Sequence, residues 1–507
     1  MIIDLAEPAE PCTPDPAPVA GPPAAGQMDT ILGTMRALSK DTLYYLLGAG
    51  IVGLAGIVLI PLYTRWLAQT DFGVYALIEI TLTLAGTIAP LGLSTTYLKW
   101  YADLPRHRRP HLLGSSLLLT IAGGGVCGAL LYLLVQSPIG LVWLHSPDRR
   151  YAWTLAPLVV VEALQTLLLT DLRARRMPLQ FCAVAGGRLV IMVAVAVWLV
   201  AVRHLGLNGV FTARLIGTAA GVVLLGSLSL RNRRFAVDLS LVKAILPYGA
   251  PLVWSALMGI AFDAVARQFV SHFSGLYEVA IFVLALKISG ALQAFVLAPF
   301  GTAWSGFYFA VAHQPHAKAT YTRVLGCALA VLATMAALLM VVTPVLLPLL
   351  APPAYGPASR LVPWLLLPLV MRALEYWACL GIYLTHRTHW MAIVSTCGVI
   401  FHALLCWFLV PRLGPMGAAF SWLLALCGIV LATGSVGQRC YRMSIDWRPL
   451  AFAAAVWISA LLVSSNLPVA FALRGGLIAL LFCCAALSAL WLCFGRTLFR
   501  AAFAPEC

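Results

Sequence analysis

Charge is what this sequence has least of. Only 10% of its 507 residues are Asp, Glu, Lys or Arg, against 62% in the hydrophobic class. An ordinary globular protein carries about 25% charged residues. So few charges cannot cover a water-soluble fold of this size, which excludes a soluble enzyme, a nucleic-acid-binding domain and a disordered scaffold. Acidic residues are the scarcer sign, with 18 Asp+Glu against 33 Lys+Arg and a net charge of +15. In a membrane protein such an excess points first to basic cytoplasmic loops. A cysteine framework is also missing. Most of the thirteen cysteines lie singly inside apolar runs, as Cys127, Cys182, Cys327, Cys397, Cys406 and Cys427 do, and Cys483 and Cys484 are adjacent. No C-x-x-C pair or Cys/His cluster has metal-ligand spacing, so the thiols read as small apolar side chains, and no metal or cofactor is expected.

Residues 1–35 are rich in Pro and Ala, without an apolar h-region or a basic start. They read as a disordered tail, not a cleaved signal peptide. A helix needs roughly 20 apolar residues to cross the hydrocarbon. By that rule fourteen spans are expected, near 42–64, 74–98, 112–135, 152–172, 180–202, 207–230, 244–266, 278–302, 324–350, 359–384, 390–410, 413–436, 450–467 and 474–494. The last two are the shortest, so twelve or thirteen spans remain open. With the N-terminus inside, 21 of the 33 basic residues fall on cytoplasmic segments and 8 on the opposite side. That bias favours an even number of spans with both ends cytoplasmic. The widest connection is about twenty residues, too short for a soluble catalytic domain.

A weak internal repeat is visible. Thr70-Asp71-Phe72-Gly73-Val74-Tyr75 is followed 207 residues later by Tyr277-Glu278-Val279-Ala280-Ile281-Phe282. His204-Leu205-Gly206-Leu207-Asn208-Gly209 is followed 208 residues later by Arg412-Leu413-Gly414-Pro415-Met416-Gly417. Two motifs at nearly one offset, six spans apart, point to duplicated six-helix lobes, a transporter architecture. The division expected is a tail at 1–40, an N-lobe at 41–235, a C-lobe at 236–437 and two extra helices within 438–507. Gly48-Ala49-Gly50-Ile51-Val52-Gly53 fits G-x-G-x-x-G, but it lies inside an apolar span with no preceding strand. Its glycines read better as a close helix–helix contact.

The informative residues are ionisable groups inside spans, each costing roughly 2.5–3.5 kcal/mol at a helix centre. The cations are Arg188, Arg214, Lys287 and Arg372; the anions are Glu79, Glu162, Asp263 and Glu375. Arg372/Glu375 at i,i+3 and Asp263/Arg267 at i,i+4 are spaced to neutralise each other. Arg188 and Arg214 are near enough to span ends to snorkel, and Glu79 and Glu162 could be protonated within packed interfaces. Lys287 has no carboxylate within four residues and reads as lining a hydrated path. Unpaired cations at mid-depth suit an anionic solute, because a fixed Arg or Lys replaces hydration that a phosphate would lose.

Several segments together resemble the Wzx-like polysaccharide flippases of the multidrug/oligosaccharidyl-lipid/polysaccharide (MOP) superfamily. They are Ile60-Pro61-Leu62-Tyr63-Thr64-Arg65 with Asp71-Phe72-Gly73-Val74-Tyr75, then Leu91-Gly92-Leu93-Ser94-Thr95 and Phe262-Asp263. Further along come Ala298-Pro299-Phe300-Gly301-Thr302-Ala303-Trp304, Ala354-Tyr355-Gly356-Pro357-Ala358 and the run Val410-Pro411-Arg412-Leu413-Gly414-Pro415-Met416-Gly417-Ala418-Ala419. The resemblance implies a bacterial inner-membrane protein that moves undecaprenyl-pyrophosphate-linked oligosaccharide from the cytoplasmic to the periplasmic leaflet. It implies two six-helix lobes around a cleft with alternating access, and cations in that cleft. Asp263 matches an Asp frequent in the family's span seven, whereas Ala280 stands for a usual Gly and Ala264 where Arg often follows the Asp.

The expectation is therefore an all-α polytopic membrane protein, a flippase and not an enzyme. Lys287, Arg188, Arg214 and Arg372 attract the pyrophosphate, and Glu79, Asp263 or Glu375 couples to protons. The partners implied are the lipid-linked oligosaccharide and membrane lipid, with a polymerase and a chain-length regulator as further candidates, and no nucleic acid. Two rivals are a drug/cation antiporter of the same superfamily, which needs acidic groups to outnumber basic ones at mid-depth, and a membrane glycosyltransferase, polymerase or ligase, which needs carboxylate clusters or a large external loop. A further, third rival is a structural or interaction protein, which has no evident use for intramembrane charge.

Overall fold

In lipid every backbone N–H and C=O must be paired within the chain, so apolar runs of this length fold as helices. The structure, a computed structural model, describes residues 56, 58–144, 149–230, 237–312, 317–385, 387, 389–443 and 447–466. Among them there is no strand, and 11 helices are long and apolar enough to cross a membrane. The Pro-rich tail, most of the first expected span with Gly48 to Gly53, and the fourteenth span lie outside the described residues.

In chain order the helices are α1 (Ile60–Trp66), α2 (Gln69–Ile88), α3 (Leu93–Asp103), α4 (Arg109–Gln136), α5 (Pro138–Leu144), α6 (Ala152–Ala174), α7 (Pro178–Ala196), α8 (Gly206–Leu230), α9 (Leu239–Ser274) and α10 (Leu276–Leu292). They continue as α11 (Ala298–Val311), α12 (Ala317–Leu350), α13 (Ala358–Leu384), α14 (His389–Leu413), α15 (Pro415–Cys440) and α16 (Trp447–Asn466). Wide π turns extend α7 over Val197–Val202 and join α10 to α11 over Gln293–Leu297.

The second expected span, 74–98, is two helices. Pro90 has no N–H to continue α2, and Leu91 and Gly92 turn left-handed (φ 52 and 75) before α3 starts. The break brings backbone against backbone. A Cβ on Gly249 of α9 would stand 2.2 Å from the Leu91 carbonyl oxygen, and one on Gly92 2.6 Å from that of Gly249.

Helix contacts fall into two groups. α4, α6, α7 and α8 pack on one another, as do α12, α13, α14 and α15, with α16 laid along α12. α2 belongs to the first group but also packs along α10 and α9. At that seam the run from Phe72 to Ile78 on α2 and from Val279 to Ala285 on α10 is buried. The helices close on a glycine, since a Cβ on Gly73 would stand 2.3 Å from the Leu276 carbonyl oxygen.

α9 belongs to both groups. Its start packs Leu241 and Ile245 against Leu93, Tyr97, Leu112 and Leu113, and its capping residue Asp238 exchanges hydrogen bonds with Ser115. Further along, Phe262 packs with Val394, Ala425 and Ile429. Pro247 and Pro251 lie between these moorings and each removes a helical N–H.

The repeat has a structural counterpart. Gly206 and Gly414, at the same place in the second motif, both take positive φ (54 and 58), Gly206 as the first residue of α8 and Gly414 just before α15. Gly209 and Gly417 then lie against carbonyls of the preceding segment, those of Leu199 and Leu409.

Candidate functional site: an ion-paired chamber between two helix groups

Where α2 leaves the seam with α9 and α10, a chamber of about 370 Å³ opens. It is lined by Glu79, Ile80, Thr83, Arg214, Gly259, Ile260, Asp263, Arg267 and Lys287. Each charged residue is placed by the face its helix turns inward. Glu79 lies one turn beyond Tyr75 on α2, and Asp263 and Arg267 are one turn apart on α9. α8 contributes Arg214 and α10 contributes Lys287.

Glu79 is the junction. Its Oε1 accepts from Lys287 Nζ at 2.8 Å and from the Tyr75 hydroxyl at 2.9 Å, and its Oε2 lies 3.5 Å from Arg267 Nη1. Arg267 grips Asp263 with two bonds, Nε to Oδ1 at 2.7 Å and Nη2 to Oδ2 at 2.6 Å, and donates Nη1 to the Ala76 carbonyl at 2.8 Å. A paired fork of this kind fixes geometry as well as charge. Arg214 donates Nε to Glu162 Oε1 at 2.6 Å. Three cations and two carboxylates thus line the chamber, and Glu162 behind Arg214 makes the signs equal.

The expectation of unpaired cations needs correction. Lys287 has no carboxylate nearby in sequence, yet it is bonded to Glu79, 208 residues away. Arg214 is held by Glu162, and Arg372 by Glu375 at 2.6 Å within α13. The four expected cations do not share one chamber, for Lys287 and Arg214 line it whereas Arg188 and Arg372 do not. The reason is helix rotation: Arg372 and Glu375 occupy a stretch of α13 that their own i,i+3 pairing neutralises. Arg188 on α7 faces α6 and α8, against Gln165 and Gly221. Of the coupling candidates, Glu79 and Asp263 line the chamber in ion pairs, and Glu375 stays with Arg372.

An aromatic cluster adjoins the chamber through Tyr75, whose hydroxyl bonds Glu79. Tyr63 and Tyr75 have centroids 5.2 Å apart, Tyr75 and Phe211 5.9 Å, and Phe72 and Tyr355 5.9 Å. Lys287 Nζ lies 5.8 Å from the Tyr75 ring.

Sequence reasoning passed over three polar groups. His402 on α14 is fully buried, stacked on Phe262 and with Nε2 3.2 Å from the Phe262 carbonyl oxygen. Asp171 is fully buried and accepts from Tyr97 at 2.7 Å and Ser229 at 3.1 Å, with Arg175 paired to it. Gln165 is buried beside Arg188. A polar residue in an apolar run was the available signal for His402 and Gln165, and the i,i+4 spacing of Asp171 and Arg175 for the third. Among the described residues no group of three or more His, Cys, Asp or Glu could hold a metal ion.

A separate apolar groove of about 440 Å³ runs beside α16, lined by residues such as Leu325, Leu374, Trp377 and Leu450. It adjoins a second of about 240 Å³ past Leu367, Met371, Ala453 and Trp457.

A sequence model for the family described as "Polysaccharide biosynthesis protein" matches residues 38–305. The chain belongs to that family. No curated protein matches it in sequence. Its fold is shared with a structure titled "Lipid II flippase MurJ, inward closed conformation", at a TM-score of 0.69 and 12% identity over 91% of this chain and 99% of that one. An outward-facing multidrug resistance MATE transporter of the MOP superfamily matches at 0.58 and 13% identity, over 82% of this chain and 97% of that one. A Vibrio cholerae MATE transporter matches at 0.56 and 15%, over 85% and 98%. The family match bears out the resemblance to polysaccharide-synthesis proteins read from the sequence, and the chain is a multi-pass membrane protein that shares the fold of these transporters.

Proposed function

We propose that this protein is a flippase that carries undecaprenyl-pyrophosphate-linked oligosaccharide from the cytoplasmic to the periplasmic leaflet by alternating access, for surface polysaccharide synthesis. The observation that carries the reading is the chamber, in which Lys287, Arg267 and Arg214 sit at the boundary of the two helix groups. A pyrophosphate leaving water needs such donors, because an ion moved bare into hydrocarbon costs tens of kcal/mol. Glu79 occupies the place of a substrate oxygen on Lys287, so a bound head group exchanges one anionic partner for another. The apolar grooves along α16 suit part of a polyisoprenoid chain. In this reading the two helix groups are lobes at 41–235 and 236–437 that rock about the chamber. The bias of basic residues toward alternate loops supports cytoplasmic termini in a bacterial inner-membrane protein. The seam of Phe72–Ile78 against Val279–Ala285 then closes the periplasmic side.

The second reading is a multidrug/cation antiporter of the same superfamily. Near-equal charge in the chamber favours it more than an excess of cations would. The cations still outnumber the carboxylates on the lining, which favours an anionic cargo.

The test is the full chain in proteoliposomes loaded with a fluorescent lipid-linked pyrophosphoryl oligosaccharide, its leaflet read by a membrane-impermeant quencher. Wild type should move the lipid, and Lys287→Ala should leave most of it in its starting leaflet. Movement of an organic cation with no movement of the lipid would favour the antiporter and refute the flippase. Equal flipping by Lys287→Ala would remove the chamber from the mechanism.

A further inference from the structure

Glu162 is bonded to one arginine and lies one helical turn from the packing site of a second. Its Oε1 accepts from Arg214 Nε at 2.6 Å. Arg188, on the adjacent α7, packs where Gln165, one turn beyond Glu162 on α6, meets Gly221 of α8. Yet it forms no ion pair within 4 Å among the described residues, and its Nε is buried with no hydrogen-bond partner. The stem of Arg188 lies against the bare Cα of Gly221 on α8. A Cβ there would stand 3.7 Å from Arg188 Cβ and 3.8 Å from its Cδ, with Gln165 Nε2 at 3.7 Å. Gln165 is only 3% exposed and its Oε1 has no partner either. Buried polar groups left unpaired are costly and uncommon. Here a spare guanidinium edge starts one helical turn from a carboxylate already in use.

We propose that Arg188 is the reserve partner of Glu162. When an anion of the pyrophosphate class enters the chamber and draws Arg214 to itself, the Glu162 carboxylate passes to Arg188. Arg214 is thereby released without leaving a bare carboxylate buried, the costly alternative when one member of a buried pair departs. Arg188 is a positioning residue: it does not touch the anion, and it acts through Glu162 on Arg214. The proposal rests on the reading of the chamber as an anion site. It explains why α7, which contributes nothing to the chamber lining, carries an arginine inside an apolar helix.

The experiment is calorimetric titration of the purified full chain in nanodiscs with inorganic pyrophosphate. Arg188→Gln should weaken binding about tenfold, because Glu162 then holds Arg214 back. Arg188→Lys, which keeps the charge, should stay near wild type. Glu162→Gln alone should bind at least as tightly as wild type, since Arg214 starts free. Glu162→Gln added to Arg188→Gln should restore the lost affinity. Arg188→Gln with unchanged affinity overturns the exchange. So does a loss that Glu162→Gln fails to rescue, which would make Arg188 a direct ligand. If Arg188→Gln does not fold, Glu162→Gln decides alone, and weakened binding overturns the proposal. Absence of pyrophosphate binding by wild type would refute the anion chamber itself and the exchange with it, whereas binding by wild type with failure of the rescue refutes the exchange only.

Discussion

Breaking the bond between Lys287 and Glu79 removes the shortest charge contact between α2 and α10. The side chains are 18% and 20% exposed, and their N–O distance is 2.8 Å. Removing one member of a fully buried pair costs about 3–5 kcal/mol, because the other is left uncompensated. Lys287→Met leaves Glu79 with the Tyr75 hydroxyl and with Arg267 at 3.5 Å. With that residual support and a polar chamber alongside, the expected cost is about 2 kcal/mol. Glu79→Gln leaves Lys287 with a neutral amide oxygen and an aromatic ring in place of its counter-charge, and about 3 kcal/mol is expected. The double variant removes both charges and should cost less than the sum by roughly 1.5–2 kcal/mol, within the range for residues in contact. Unfolding entropy near ~2.1 cal/mol/K per residue makes 1 kcal/mol worth only about 1 °C in a chain of this length. The cycle is therefore better read by denaturant titration in detergent than by melting alone. Additivity within about 0.4 kcal/mol would mean the two groups do not interact, and the chamber described above would be refuted.

Gly73→Leu forces a side chain into the Leu276 carbonyl, so it should prise α2 from α10; a cysteine placed at Tyr355, which packs on Phe72, should then label faster with a membrane-impermeant maleimide. Gly249→Ala sets a methyl against the Leu91 carbonyl, where a strained contact should lower the melting temperature measurably, whereas Gly259→Ala, with open space around its Cα, should not. Asp238 caps α9 by accepting from the Ser240 hydroxyl and amide, which holds its carboxyl below the usual carboxylate range. Its capping contribution is complete above the ordinary Asp pKa and lost as pH falls through the lowered one. Asp238→Ala should therefore give a small drop in melting temperature at pH 7 that disappears in strong acid.

Legibility in the sequence followed the range of each interaction. Apolar runs located α4, α6 and α12 to within a few residues at most ends, because burial in lipid is a property of the segment itself. The break at Pro90–Gly92 was hidden inside one apolar run, since hydropathy does not register a change of backbone hand. Asp263–Arg267 and Arg372–Glu375 were readable as pairs from helical spacing alone. Glu79–Lys287 and Glu162–Arg214 were not, because partners 208 and 52 residues apart meet only when helices pack. Lys287 consequently looked unpaired when it was bonded to a distant carboxylate. The same limit concealed that Arg188 and Arg372 would face away from the chamber.

A carrier that hands over cargo must afterwards go back with nothing aboard. On the function proposed above, Glu79 on Lys287 and Asp263 on Arg267 are built-in counter-ions for that idle leg. The vacant protein would then recross its cycle without borrowing a salt ion to balance the cations that cargo had neutralised. Resetting then depends on internal carboxylates, and a variant lacking Glu79 would stall after delivery, not before it.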